Sequence, residues 1–521
     1  MRRLSADDFS KLLILLALIL GGWLRFWPVL QAGFPLNDGG MFYSMIEDLY
    51  ANHFLLPQFT SYNAFAIPYA YPPLAFYLGA ALKALGIAPL QTLMFVPPLL
   101  SSVAIGAFAG LARAIFPDSW GKTGWSTLAF ALTPGGYTWF IMGGGLTRSL
   151  GQIFLLLTLT AALRLYRRGG AKNIWLSGIL GSLTLLSHPE AGWHAAISAV
   201  VLFLFLGRTK KNFINGLQVG GIVWLLSAPW WGSVIFQNGF AIFINAFFTG
   251  GYAIYRVLNA FLFAFPKERL AAVVTVLGMF GLLRQLARKE FFLPAWLVIP
   301  FLAEPRSAPA VSLYPLIFLS AQALFDVFLP ALKKNNEVRA FTVRKTTVFA
   351  IGFLTLYLVF ASALHDLEIM SNFVPAASRE AMQWARQQTP PTAVFIVLTG
   401  PADPMTDSAA EWFPALTARH NLTTLQGREW TLGSAFLDAF DAYDAIQQCY
   451  YQDAACLERQ AQKLGFAADY LYLDYRQVSA ISDGLWRTPP LFTSLQDSGK
   501  YELLYQNSAA AIFRRKENSA P

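Results

Sequence analysis

The sequence predicts a multi-span α-helical membrane protein with about eleven transmembrane helices, interfacial helices in the first outer loop and a C-terminal extracytoplasmic α/β domain. Three observations predict it. Of 521 residues, 55% are hydrophobic and only 13% charged, where a soluble domain carries roughly a quarter charged residues. Apolar runs of spanning length recur along the first two thirds of the chain. Beyond about residue 365 the pattern changes to short helix and strand signals. The predicted division is therefore a membrane domain over 1–364 and a soluble domain over 365–521.

The first run, "KLLILLALILGGWLRFWPVL", has no clear small-x-small cleavage site after it and is followed by further runs, so it is a membrane helix rather than a signal peptide. Further spans are predicted near 90–112, 123–142, 149–166, 173–187, 191–207, 213–235, 270–286, 291–303, 312–330 and 346–364. The formal net charge is +9. In a soluble protein that would suggest nucleic acid. Here the basic residues fall between apolar runs and report topology, so no nucleic-acid partner is expected. One set of loops is basic: "MRR", "ARAIFPDSWGK", "RLYRRGGAK", "GRTKK", "RQLARKE" and "KKNNEVRAFTVRK". The alternating set is poor in Lys and Arg: "GFPLNDGG", "MGGGLTR", "SHPEAGWH", "FQNGFAIF" and "EPRSAP". This places the N-terminus in the cytoplasm and the C-terminal domain outside a plasma membrane. It also requires "YPPLAFYLGAALKALG", residues 71–86, to be an interfacial helix. Read as a span, that segment would invert every later loop.

In the C-terminal region, "ASREAMQWARQQ" reads as a helix, "AVFIVLTG" and "DYLYLDY" as buried strands, and "YELLYQNSAAAIFRR" as a hairpin around Asn507-Ser508. Cys449 and Cys456 would stand about 10 Å apart on a continuous helix, too far to bridge. A disulfide requires a turn within "CYYQDAAC", and the outer compartment would permit one. The sequon "NLT" at Asn421 carries little weight, because such tripeptides are common.

The sequence contains no P-loop, GxGxxG, GxSxG or HExxH motif and no Cys/His cluster, so cytosolic nucleotide chemistry has no visible site. The ionisable residues at outer span ends fall into four groups. They are Asp38 with Glu47 and Asp48; Arg148 in "GGGLTRSLG"; His188, Glu190 and His194 in "SHPEAGWH"; and Glu304 with Arg306. Each also has an ordinary structural role open to it: a solvated helix face for Glu47, snorkelling for the arginines, helix capping for His188 and Glu190. Yet burying an ionisable group near a span costs several kcal/mol without a partner. A carboxylate can deprotonate an acceptor, and arginines can grip a phosphate. Beside hydrocarbon, the two together describe group transfer from a lipid-phosphate donor.

These residues resemble the GT-C superfamily of membrane glycosyltransferases, which includes protein O-mannosyltransferases, aminoarabinose transferases and oligosaccharyltransferases. The resemblance covers roughly residues 10–330. It rests on an acidic residue just after span one, interfacial helices in the first outer loop, the Pro72-Pro73-Leu74 step and the basic turn "LARAIF" after span two. It implies that Asp38 is the catalytic acidic residue that activates the acceptor as a base; Glu190 is the candidate for a second catalytic acid, if the reaction needs one. Arg148, Arg306, His188, Glu47 and His194 would bind substrate. The donor would be a polyprenyl-phosphate sugar, the acceptor a glycan, lipid or protein, and the sugar carbon would invert. Many relatives carry a double acid at the first site, where this chain reads Asn37-Asp38-Gly39. The single carboxylate weakens the case for metal dependence; a divalent cation, Mg or Mn, is an open cofactor, and no metal ligand is assigned. The segment "EWFPALTARHNLTTLQGREW" resembles domains that trail prokaryotic members. A transporter or flippase, or a membrane-anchored assembly protein acting through its outer domain, are the alternatives. The transporter would call for internal repeats and charges at the bilayer midplane, which the sequence does not display.

Overall fold

A computed structural model describes residues 6–249, 254–331, 345–400, 403–476 and 488–516. The basic stretch 333–344 and the N-terminal "MRR" lie outside these residues. Helix α1 (Ala6–Ala32) carries the first apolar run. Its 27 residues make it about 40 Å long, more than the roughly 30 Å of bilayer hydrocarbon. Two short helices follow, α2 (Gly40–Ala51) and α3 (Leu74–Ala84). The 11 residues of α3 reach only about 16 Å, too short to span. Instead α3 buries Ala75, Phe76, Gly79 and Ala80, with Gly79 against Ile46 of α2.

The chain continues through α4 (Pro89–Ile115), α5 (Trp120–Leu132), α6 (Gly145–Arg168), α7 (Ala171–Ser187), α8 (Pro189–Leu206) and α9 (Lys210–Asn238). Next come α10 (Ala241–Thr249), α11 (Ile254–Leu262), α12 (Val273–Ala287), α13 (Phe292–Ala303) and α14 (Ala308–Ala323). A π-turn at Leu324–Phe328 links α14 to α15 (Leu329–Ala331), and α16 (Lys345–Ile369) closes the bundle. Among the described residues, seven helices are long and apolar enough to cross a membrane: α1, α4, α6, α8, α9, the α14–α15 unit and α16. The other predicted spans fall on the shorter α5, α7, α12 and α13. The span expected over 123–142 is helical only to Leu132. Thr133 is extended ahead of Pro134, and two 3-10 turns, Pro134–Gly136 and Thr138–Phe140, carry the chain onward. A proline disfavours helix at the residue before it. The stretch after α9, read as a loop, forms α10 and α11.

The largely aliphatic bundle core holds an aromatic stack. Phe108 of α4 stacks on Phe130 of α5 at 4.2 Å and on Phe318 of α14 at 5.3 Å. Within it, Arg25 of α1 is fully buried. Its guanidinium donates to Gly21 O (2.8 Å), Ala131 O (2.9 Å) and Ser101 Oγ (2.9 Å), joining α1 to α4 and α5.

The C-terminal region holds a five-stranded sheet of order β2-β1-β3-β5-β4, formed by β1 (Val394–Leu398), β2 (His420–Asn421), β3 (Tyr470–Asp474), β4 (Tyr501–Gln506) and β5 (Ala510–Arg515). β1 pairs in parallel with β2 and β3, and β4–β5 is the expected antiparallel hairpin. Around it lie α17 (Ala376–Gln388), α18 (Ser408–Thr417), α19 (Glu429–Leu432), α20 (Phe436–Gln447), α21 (Ala454–Leu464) and α22 (Pro490–Asp497). Side chains alternate across strands. Ile396 and Leu398 join a core with α20–α22. Phe395 and Val397 join a core containing Trp412 of α18 together with Ile46 of α2 and Phe76 of α3. One face of the sheet therefore shares its core with the helices beside Asp38. Cys449 and Cys456 are bridged, with Cα atoms 5.5 Å apart. The required turn exists because α20 ends in a 3-10 turn and Asp453 caps α21. Asn421 is buried, its Nδ2 donating to Thr424 Oγ1 and Ala410 O, closed to glycosylation in this fold.

Candidate active site

Asp38 lies in a strap between α1 and α2 that is tied from two sides. From the membrane bundle, Gly143 N donates to Leu36 O (2.9 Å). Gly144 N donates to Asp38 Oδ1 (3.0 Å), and Arg148 Nη2 to Asp38 Oδ2 (3.1 Å). Gly144 is required here, since a Cβ would lie 2.8 Å from the Asp38 carboxyl carbon. From the C-terminal region, Trp412 Nε1 donates to Asn37 O (3.0 Å). Both Glu411 oxygens accept from the start of α2: Gly40 N at 2.9 Å and Met41 N at 3.0 Å. Gly39 bends the strap at φ 138°, where any side chain would also strike the Trp412 ring.

Asp38 opens into a cavity of about 1370 Å³. The structure brings Arg148, His188, Glu190 and Arg306 to the same wall as Asp38. Arg306 Nε stands 3.7 Å from Glu190 Oε1, and both side chains are partly exposed. His188 caps α8, its Nδ1 accepting from Ala191 N at 3.4 Å. Burial holds it down at about 4, with Arg148 and Arg306 adding to the effect against Glu190. It is a neutral acceptor at pH 7.

Two expected contacts are corrected. Glu47 does not line the cavity. It pairs with Lys83 of α3, because it sits on the side of α2 that faces α3. His194 is also behind the wall, with Nε2 2.9 Å from Ser307 Oγ and 3.1 Å from Glu304 Oε2. It orients Glu304, which does line the cavity. Burial works to raise the Glu304 carboxyl, but hydrogen bonds from His194 and Ser307 prevail and hold it at about 2.

Sequence reasoning missed Glu411 and Glu429, which also face the cavity. Both lie in "EWFPALTARHNLTTLQGREW", which attracted notice only as a segment. Burial pushes the Glu411 carboxyl up to about 8. The Asp38 charge adds to this, against hydrogen bonds from Met41 and Gly40. Burial likewise raises Glu429. Among the described residues no three His, Cys, Asp or Glu side chains gather at one point. Asp38 is moreover engaged by Gly144 and Arg148. Among the described residues, these side chains do not form a cage for Mg or Mn.

Away from this polar end the cavity becomes an apolar furrow between α6, α7, α8 and α9, lined by Ala162, Gly181, Phe203 and Val223 and reaching Tyr166. From Arg148 to Tyr166 along α6 is about 27 Å, close to the full hydrocarbon thickness.

No family model matches the chain, and no curated protein does. Solved structures match along nearly its whole length. The arabinofuranosyltransferase AftD from Mycobacteria superposes with TM-score 0.56 at 16% identity, covering 100% of this chain and 41% of AftD. ArnT from Cupriavidus metallidurans bound to undecaprenyl phosphate gives TM-score 0.51 at 11% identity, covering 99% of this chain and 100% of ArnT. Its apo state gives 0.52 at 12%, covering 98% of each. The chain shares the fold of both, and that fold is GT-C-like. At these identities the fold is what is shared. The chain spans well under half the length of AftD and matches ArnT end to end. In this chain α2 and α3 are the short helices of the first long loop, and Asp38 stands near its start.

Proposed function

We propose that the chain is an integral membrane glycosyltransferase that moves a sugar from a polyprenyl-phosphate donor to an acceptor on the outer side of the membrane. The observation that carries this reading is the single cavity joining a carboxylate–arginine cluster to an apolar furrow of membrane length. A polyprenyl chain would occupy the furrow and bring its phosphate to Arg148 and Arg306. Undecaprenyl phosphate is the ligand of the ArnT structure of similar fold. The acceptor, a glycan, lipid or protein, would enter from the side of the C-terminal domain. The division at 364/365 and an outside C-terminus are part of the proposal. They are supported by the disulfide, which suits an oxidising compartment, and by Arg164, Arg167 and Arg168 at the end of α6 opposite Arg148.

In the proposed reaction Asp38 takes the proton of the acceptor hydroxyl as its oxygen attacks the anomeric carbon. The bond from that carbon to the phosphate oxygen breaks, polyprenyl phosphate leaves, and the configuration inverts. The arginines balance the charge gathering on the leaving phosphate. Glu190, within reach of Arg306, would hold that arginine toward the phosphate. The test supplies labelled polyprenyl-phosphate pentoses and hexoses with cell-envelope acceptors to purified protein and to Asp38→Asn. Transfer by the wild type, lost in Asp38→Asn, is expected. No transfer with any donor, together with passage of the donor across vesicles, would refute the reading in favour of a flippase. Transfer surviving in Asp38→Asn would refute the base.

A further inference from the structure

We propose that Glu411, supplied by the C-terminal region, is a positioning residue that fixes the Asp38 carboxylate by clamping the first turn of α2. The inference rests on the glycosyltransfer reading for its catalytic meaning, while the clamp itself is measurable without activity.

Four observations carry it. First, Glu411 is 3% exposed, and its two oxygens take the two N–H groups that open α2. The first N–H groups of a helix have no partner inside the helix and need one from outside. Asp38 itself is not that partner, since its carboxylate faces Gly144 and Arg148. Second, the next residue, Trp412, holds Asn37 O from the other side of Asp38. Neighbouring residues of α18 thus fix the strap on both flanks of the carboxylate.

Third, α18 is itself held rigidly. Asp407 accepts from Ala410 N at 3.0 Å and from Tyr443 Oη at 2.8 Å. Arg476 donates to Ser408 Oγ at 3.0 Å. Asn421 Nδ2 donates to Ala410 O at 3.2 Å. The sheet therefore fixes where Glu411 reaches. Fourth, the one Glu411 carboxyl group offers both of its oxygens to successive amides, and the α18 backbone lies close against Gly40, where a Cβ would lie 2.8 Å from Glu411 O.

The experiment uses the full-length protein in detergent or nanodiscs with Glu411→Gln and Glu411→Ala, and reads two quantities. One is amide hydrogen exchange over a peptide spanning 37–45. The other is steady-state transfer from a polyprenyl-phosphate sugar. Gln keeps one acceptor and offers an NH2 group to the second amide, so a partial effect is expected. Exchange should rise in both variants. Turnover, kcat, should fall about 10-fold in Gln and about 100-fold in Ala, as for a misplacement of roughly 1 Å. KM for the donor should change less than about twofold, because the residues that hold the phosphate are untouched. Trp412→Phe, which removes the hydrogen bond to Asn37 O and trims the ring packed against Phe34 and Gly39, should show a smaller loss of the same kind. Unchanged exchange in both Glu411 variants overturns the clamp. Raised exchange with wild-type kcat overturns its role in positioning Asp38. A lower melting temperature with unchanged kcat per folded molecule assigns Glu411 to stability alone and overturns the inference. If the wild type fails to transfer any sugar, the glycosyltransfer reading falls and with it the catalytic half of this inference, while exchange still decides the clamp.

Discussion

Gly144→Ala separates the chemistry of Asp38 from the stability of the fold. Gly144 has φ −66° and ψ −7°, so alanine fits its backbone without strain. Gly144 is the N-cap of α6, a position where alanine is less favourable than glycine, so a modest loss of stability is expected. The new methyl group, however, would stand 2.8 Å from the Asp38 carboxyl carbon and 3.0 Å from Oδ1, where an ordinary contact is at least about 3.4 Å. The carboxylate has to move by roughly 1 Å, breaking its bonds to Gly144 N and Arg148. A displacement of that size at a reacting group costs about 100-fold in rate, near 2.7 kcal/mol of barrier. Sugar transfer measured per folded molecule, beside thermal unfolding, should show a turnover loss of that order together with a modest loss of stability. Activity within about threefold of wild type would mean that the Asp38 position described here is not the reacting one.

Two further outcomes follow from the same geometry. Glu411 titrates near 4.5 when solvated and at about 8 in the fold. The native state thus holds the proton more tightly, and its stability falls as pH rises between those values, by at most roughly 1.4 kcal/mol per pH unit. In Glu411→Gln this part of the slope should vanish, and melting curves across about pH 5 to 9 that are parallel for the two proteins would contradict the burial argument. Ala199→Trp should fill the apolar furrow and raise KM for a long polyprenyl donor about 10-fold or more, while a donor with two isoprene units is nearly unaffected. Equal effects on both would place the lipid chain elsewhere.

The bundle was legible because length and hydropathy alone decide whether a helix can span. The four polar groups at outer span ends were legible for a related reason, since charge is rare there and each instance stands out. Two of their members went astray at the next step. Glu47 and His194 share a span end with the cavity, but rotation about their own helices turns one toward Lys83 and the other behind Glu304. Periodicity did not settle that, because α2 buries residues on more than one side. Glu411 was hidden for a stronger reason. It meets Gly40 across a sequence separation of 371, and no local pattern marks a glutamate that caps another domain's helix. The bridge between Cys449 and Cys456 turned on one local feature, the helix break at Gln452-Asp453, which spacing alone left undecided.

The buried arginine of α1 has a consequence for how the chain is assembled. A helix that enters a bilayer alone with an arginine in its apolar stretch carries a penalty of roughly 2.5–3.5 kcal/mol at the centre of the span. Arg25 recovers that cost only when Ser101 and Ala131 arrive to receive its hydrogen bonds. These partners lie 76 and 106 residues further along the chain, on α4 and α5, beyond the whole first long loop. The first helix is thus poorly suited to drift as an independent span. It waits at the site of insertion for two later helices, and the strap bearing Asp38 is drawn into the growing bundle with it.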